Sequence, residues 1–170
     1  DVYNVAVGYG AGESVTTGNQ NTLIGGLAGD ALTDSDLNVA VGFQALTSDT
    51  LGQYSTAIGY GTLLNQNFTT ATNTYNVAVG FSAGLSVTTG QYNTLIGAEA
   101  GDAITTGASN VAVGFRALSA EDAHGTNVAI GDSALRNLNA GANAYNVAVG
   151  HEAGLAVTTG ALNTIVGGSA

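Results

Sequence analysis

One five-residue pattern, Asn-Val-Ala-Val-Gly with close variants, recurs along the whole chain and constrains its fold more than any other feature. The glycines that end the pattern, called signature glycines below, are spaced by 17, 17, 17, 21, 17, 17, 17, 19 and 17 residues. They are Gly8, Gly25, Gly42, Gly59, Gly80, Gly97, Gly114, Gly131, Gly150 and Gly167. A strand-helix-strand unit needs about 30 residues, so each repeat predicts one coil of a stacked structure, and the coils are numbered 1 to 10.

Alignment of the coils on the signature glycine, counted as position 0, shows which positions are constrained. Position −1 is always Val or Ile, and position +3 is Ala except at Thr62. Position −4 is Asn except at Ser55, and these asparagines predict a hydrogen-bonded ladder that fixes the register of the coils. The ladder residues are Asn4, Asn21, Asn38, Asn76, Asn93, Asn110, Asn127, Asn146 and Asn163.

A longer period lies on top of the coil repeat. Position +4 runs Gly, Gly, Leu, Leu and then starts again, which divides the chain into superrepeats at about 1–72, 73–142 and 143–170. The two longer spacings fall where one superrepeat passes to the next, so we expect their extra residues to bulge outward without changing the register. The chain as a whole, 1–170, is predicted to be one repetitive segment of a longer fibre.

The residues before each signature glycine are β-branched or small, and they predict strands. In a strand, positions −1 and −3 face one way and position −2 faces the other. Both faces are apolar, yet a 17-residue coil has room to cover only one of them. The fold class predicted is therefore an all-β parallel β-solenoid of about ten coils that associates with copies of itself, as a homotrimer with the small residues of position −2 at its axis.

A second, weaker strand is predicted in the Ser- and Thr-rich part of the coil. The segments are 14–17, 31–33, 86–89 and 103–106. Their polarity is typical of a sheet that faces solvent.

Composition excludes several classes of function. The net charge is −10 and the only cations are Arg116 and Arg136, so a groove for nucleic-acid phosphates is not expected. Apolar runs are far shorter than the roughly 18 residues of a membrane span, so no membrane insertion is expected. The chain has no Cys, and we expect no cofactor.

At this point the repeats resemble a known group of surface proteins. They are similar to the head of trimeric autotransporter adhesins, where Ser-Val-Ala-Ile-Gly repeats build a left-handed parallel β-roll trimer. They resemble more closely the Asn-Thr-Ala-Val-Gly-Tyr-Gln-Ala-Leu repeats of phage tail fibres, matched here by Asn-Val-Ala-Val-Gly-Phe-Gln-Ala-Leu at 38–46. The resemblance covers the whole chain, although the adhesin heads use shorter coils.

The resemblance implies a left-handed β-roll and a homotrimeric fibre on the virion, with a bacterial cell surface as the alternative. It implies a structural and attachment role, in which the fibre spaces and displays surface for a host glycan or protein receptor. A rival from another class is an ice-binding solenoid, which would need a Thr array on every coil. Thr-Thr-Gly turns end at Gly18, Gly90, Gly107 and Gly160 only, so that array is broken.

Aromatic side chains are the first candidates for receptor contact. Those at position +1 are Tyr9, Phe43, Tyr60, Phe81 and Phe115. They could stack as a surface for glycans, or they could simply cover the turn and the edge of the next coil.

The segment from Asn65 to Thr74 contains the extra residues of the 21-residue spacing. Insertions in solenoids map to one face and often carry binding, so Asn65, Asn67 and Phe68 are candidates for a recognition loop. A solvated bulge is the alternative.

Metal and catalytic sites have weak support. Asp30, Asp34 and Asp36 are close in sequence and could hold a hard cation, but no calcium-roll pattern accompanies them, so no metal is predicted. His124 and His151 stand at different coil positions without repeated Ser or carboxylate partners. The sequence therefore predicts neither a metal site nor an enzyme.

Overall fold

The computed structural model describes residues 2–170, which form ten stacked coils of a parallel β-solenoid. The strands are β1 (Val5–Val7), β2 (Thr22–Ile24), β3 (Val39–Val41), β4 (Gly52–Gln53), β5 (Thr56–Ile58), β6 (Thr72–Asn73), β7 (Val77–Val79), β8 (Thr94–Ile96), β9 (Val111–Val113), β10 (Val128–Ile130), β11 (Val147–Val149) and β12 (Thr164–Val166). Among these residues there is no helix of the length and hydropathy that a bilayer crossing requires.

Ten of the strands form one parallel sheet with one strand from each coil, in the order β1-β2-β3-β5-β7-β8-β9-β10-β11-β12. Each residue pairs with its counterpart in the next coil, as Val5 does with Thr22. The longer spacings leave this register unchanged, because Thr56 pairs with Val77 and Val128 pairs with Val147. The predicted solenoid, with one coil per repeat, is confirmed.

The predicted second sheet is wrong. The segments 14–17, 31–33, 86–89 and 103–106 are turns and bends, and the only other pairing among residues 2–170 joins β4 to β6. The backbone still bonds from coil to coil there, as from Thr88 N to Thr105 O at 2.9 Å. Positions +2 and +4 have positive φ in most coils, as in Gln44 and Leu46, so the chain turns twice before this segment and too few extended residues remain for a strand.

The signature glycines hold the coils in close contact. Their φ angles lie between +131° and +139°, a region that L side chains rarely adopt. A Cβ on Gly97 would lie 2.5 Å from the carbonyl oxygen of Gly114 in the next coil. Glycine is therefore required at position 0 by both conformation and space.

The small residues of position −2 lie inside the coil and not at an axis between chains. Ala40, Ala57 and Ala112 have no exposed surface in a single chain. They pack against positions +3, +4 and +7 of the same coils, which close the interior from the other side. The expectation that position −2 faces a partner is corrected: the outward face of the sheet consists of the β-branched side chains at −1 and −3.

The four-coil superrepeat follows from an exchange of volume across this interior: a large side chain at position −2 is accommodated by glycine at position +4. Where position −2 is Leu23, position +4 is glycine in the same coil and in the coil before it. A Cβ on Gly12 would lie 2.7 Å from Leu23 Cδ1, and a Cβ on Gly29 would lie 2.8 Å from its Cδ2. Leu95 has the same relation to Gly84 and Gly101. Large and small residues therefore alternate so that the interior stays filled.

Candidate functional site

The outward side of the ten-stranded sheet is a largely apolar surface, because position −1 is Val or Ile in every coil and position −3 is Val or Thr. We define the apolar face as the columns at positions −3 and −1, together with the columns at −5 and +1 on either side of them. All exposed large hydrophobic side chains among residues 2–170, apart from Val2, lie in these four columns. Ile58 and Ile96, near its centre, remain 39% and 38% exposed.

Stacked aromatic rings border the apolar face on both sides. At position −5, the ring centroids of Tyr54 and Tyr75 are 5.2 Å apart and those of Tyr75 and Tyr92 are 5.8 Å apart. At position +1, Tyr60 stacks on Phe43 at 5.6 Å and on Phe81 at 5.4 Å. These distances suit offset stacking, so each border is a continuous column over three coils. All six rings are exposed in a single chain.

The remaining aromatic candidates at position +1 do not join these stacks. Tyr9 is 85% exposed, and the next coil has Gly26 at the same position. The Phe115 ring lies under the guanidinium of Arg116, whose Cζ is 4.9 Å from the ring centroid. Arg116 Nε also contacts Glu99 Oε2 at 2.5 Å, which forms a surface ion pair between adjacent coils.

The segment from Asn65 to Thr74 is only partly a protruding loop. Asn65 and Asn67 are exposed, as are residues 69–71. Phe68 is 5% exposed and its backbone N–H donates to Asp49 Oδ1 at 3.0 Å. Its ring therefore packs into the rod, so Phe68 is not accessible to a receptor in this structure.

The asparagine column is a ladder in which side chains bond to the backbone of the next coil. Asn38 Oδ1 accepts from Ser55 N at 2.8 Å, and Asn76 Oδ1 accepts from Asn93 N at 2.9 Å. The amide nitrogen closes the turn, as Asn93 Nδ2 donates to Gly107 O at 2.9 Å. Each asparagine thus ties two coils and one turn together, and Asn38, Asn76 and Asn93 are fully buried.

The three early aspartates are not brought together. Asp34 Oδ1 accepts from Thr17 Oγ1 at 2.7 Å, and Asp36 Oδ1 accepts from Asn19 N at 2.8 Å. Asp30 accepts from the hydroxyl of Thr47. Each carboxylate therefore has its own donor in a neighbouring coil.

Comparison with protein-family models, with curated proteins and with solved structures gave no match for the chain. The apolar face is therefore the feature on which a functional proposal rests. Ten coils stacked at about 4.8 Å give a length of about 48 Å, and the seven residues from −5 to +1 give a width of at most about 20 Å. Contiguous apolar patches of more than a few hundred Å² are typical of interaction surfaces.

A cluster that the sequence reading missed lies between coils 7 and 8. Glu121, Asp122 and His124 form a group of three side chains of the types that can bind metals, and their ligand atoms all lie within 4.8 Å of one another. It is the only such group among residues 2–170. Burial raises the pKa of Glu121 above its usual range. The signal was present in the alignment of coils, because Glu121 occupies position +7, which is apolar in most coils.

Asp102 is a second carboxylate whose pKa is affected by burial. Burial raises its pKa, nearby Glu99 adds to the increase, and Arg116 opposes it. Its Oδ1 has no hydrogen-bond partner, whereas Asp30, at the same place in the first superrepeat, accepts from Thr47.

Because the folded pKa of Asp102 is raised, its contribution to stability falls as pH rises above the unfolded value of 3.8. We therefore expect Asp102→Asn to be more stable than wild type at pH 7 and to lose that advantage as pH falls toward 3.8. Urea unfolding across this range measures it. Asp30→Asn is the control and should show no gain at pH 7, because Asp30 already has its donor.

Proposed function

We propose that the chain is a structural and attachment segment of a homotrimeric viral tail fibre, which spaces and displays surface that binds a host glycan or protein receptor. The observation that carries the proposal is the apolar face, which is continuous over ten coils and exposed in a single chain. The role is mechanical and adhesive, not enzymatic. The resemblance to phage fibre repeats supports the viral setting.

The apolar face is large enough for self-association when each chain uses all of it. At most about 48 Å by 20 Å gives roughly 950 Å² per chain, compared with about 800 Å² per partner in a standard interface, and a trimer divides this area between two neighbours. A face that repeats on every coil is matched most simply by the same face on parallel copies around an axis along the rod.

The symmetry of such an assembly specifies which columns meet. Rotation about an axis along the rod keeps every coil at the same height, so coil 5 of one chain lies beside coil 5 of the next. The −5 border of one chain then meets the +1 border of its neighbour, as Tyr75 would meet Phe81. In coils 4 and 5 both borders are aromatic, so aromatic side chains would meet between chains at these two levels.

Disulfide trapping tests this arrangement. The chain has no native Cys, so any disulfide must involve the introduced residues. We expect Tyr75→Cys combined with Phe81→Cys to give a covalent trimer on a non-reducing denaturing gel. Within one chain the two positions lie on opposite sides of β7, whose three extended residues alone span about 10 Å, which is too far for a disulfide. A dimer as the final product would instead indicate two-fold symmetry.

The single variants are the matched controls for trapping. Parallel packing does not bring a column against itself, so Tyr75→Cys alone and Phe81→Cys alone should remain uncrosslinked. Crosslinking of either single variant would indicate antiparallel chains. The mass of the unmodified chain, measured by light scattering, is expected to be about three times 16.7 kDa, and a monomer at micromolar concentration would contradict the proposal.

Self-association leaves the other side of the coil for attachment. If the apolar face is buried between chains, Phe43, Tyr60 and Phe81 contact neighbouring chains, and the receptor meets other residues. Asn65 and Asn67 are exposed at positions +6 and +8, on the two sides of the inward-facing position +7. A glycan array probed with the trimer, with Asn67→Ala as the variant, tests whether this surface binds a host sugar.

A further inference from the structure

Position +7 is an interior column in which charged residues are exceptions. It is Val, Leu or Ile in six coils, and the polar members are Asp49, Gln66 and Glu121. All three polar side chains are fully buried. A buried carboxylate is costly unless its oxygens are paired, so the partners of Asp49 and Glu121 show whether each residue is simply structural.

Asp49 has a complete set of partners. Its Oδ2 accepts from Gln66 Nε2 at 2.6 Å, and its Oδ1 accepts from the backbone N–H groups of Gly52 and Phe68, each at 3.0 Å. Gln66 Nε2 also donates to Ser55 Oγ at 2.8 Å. The fold therefore satisfies both oxygens of a carboxylate at this position by hydrogen bonds, one of them from an amide in the next coil.

Glu121 occupies the place of Asp49 one superrepeat later, but its amide partner is missing. Leu138 stands where Gln66 stands in the first superrepeat. The contact from Ala140 N to Glu121 Oε2 is long, at 3.4 Å, and Oε1 has no hydrogen-bond partner. Oε1 lies 3.5 Å from His124 Nδ1, which is also buried and also without a partner.

The surroundings of this pair supply a third ligand and a route from solvent. Asp122 is exposed, and the His124 side chain is 29% exposed. The three ligand atoms lie within 4.8 Å of one another. A rotation of the exposed Asp122 side chain can shorten the distances to the roughly 3.5 Å between ligands that bonds of 2.0–2.2 Å require. Glu121 is held in place by its burial.

We propose that Glu121, Asp122 and His124 bind a divalent transition-metal cation of the Zn²⁺ type. Two carboxylate oxygens and one imidazole nitrogen suit Zn²⁺, Co²⁺ or Ni²⁺, whereas Ca²⁺ and Mg²⁺ prefer all-oxygen sites. The cation takes the place of the missing amide by neutralising Glu121 and bonding to the orphaned Oε1 and Nδ1. It ties the turn at 121–124 to the rod just before the 19-residue spacing.

Calorimetric titration of the chelator-treated, full 170-residue chain with Zn²⁺ tests the proposal. We expect one Zn²⁺ per chain, a rise of several degrees in Tm at saturating Zn²⁺, and no comparable response to Mg²⁺. His124→Ala and Asp122→Asn, which change partly exposed side chains, should each weaken Zn²⁺ binding more than tenfold. His151→Ala is the control, because His151 lies 3.9 Å from a single carboxylate, Glu152. This variant should bind Zn²⁺ as the wild type does.

Spectroscopy of the Co²⁺-loaded chain separates this site from binding elsewhere. Visible d–d absorption should appear with one equivalent of Co²⁺ and disappear in His124→Ala while circular dichroism shows the fold intact. Absence of saturable Zn²⁺ binding in the wild type would overturn the proposal. Zn²⁺ affinity that is equal in wild type, His124→Ala and Asp122→Asn would overturn it as well.

Discussion

Val79→Asp is expected to convert the assembly into monomers. Val79 points outward from β7 in the middle of the apolar face, at position −1. Around the three-fold axis proposed above, the substitution would place three carboxylates in one layer of an apolar interface, and burial of an unpaired charge costs several kcal/mol. We therefore expect the association constant to fall by more than about 100-fold. In the isolated chain the new carboxylate reaches solvent, so the coil itself should stay folded. Light scattering at one fixed concentration measures the change.

Thr89→Asp is the matched control for Val79→Asp. It adds the same charge at an exposed position, +9, outside the apolar face. This variant should keep the mass of the wild type. Equal masses for wild type and Val79→Asp would mean that the apolar face is not the interface, whatever the oligomeric state.

Gly97→Ala is expected to destabilise the rod by more than about 3 kcal/mol. The added Cβ would lie 2.5 Å from Gly114 O, and the φ of +131° is strained for any L residue. Backbone strain of this kind costs about 1–3 kcal/mol. The steric conflict adds to it, because coils 6 and 7 must separate and weaken their sheet hydrogen bonds. Urea unfolding of the variant and the wild type at equal protein concentration measures the difference.

Gly61→Ser controls for the loss of a positive-φ glycine without a steric conflict. Gly61 has φ of +60°, and a Cβ there would have no neighbour closer than 3.7 Å. Ser82 adopts φ of +52° at the same coil position. We expect a loss of about 1–2 kcal/mol. A loss as large as that of Gly97→Ala would mean that conformation, and not contact between coils, dominates at the signature glycines.

The fold could be predicted from sequence because the repeat exposes its own constraints. Ten aligned coils show that position −1 must be β-branched and position 0 must be glycine, and these are the residues that the parallel sheet uses. The sequence did not show which face of each strand points into the coil. Alanine at −2 and valine at −1 are both apolar, and only the interior packing of Leu23 against Gly12 and Gly29 distinguishes them.

The candidate sites were harder to predict because they depend on residues that break the pattern. Phe68 is an aromatic residue in an insertion, which suggests exposure, yet the backbone bond to Asp49 turns it inward. Glu121 and His124 are three residues apart and become significant only because Leu138 replaces the amide of Gln66. The alignment shows Glu121 as a carboxylate in a mostly apolar column, but it does not show that the partner of this carboxylate is missing.

The exchange of volume between positions −2 and +4 sets a unit of length for the solenoid. A leucine at −2 needs glycines in its own coil and in the one before it, so removal or addition of a single coil would leave a void or a clash in the interior. Removal or addition of four coils restores every neighbour. A fibre built on this pattern therefore changes length without loss of packing only in steps of about 19 Å. Side-chain volume in the interior thus determines which lengths are possible.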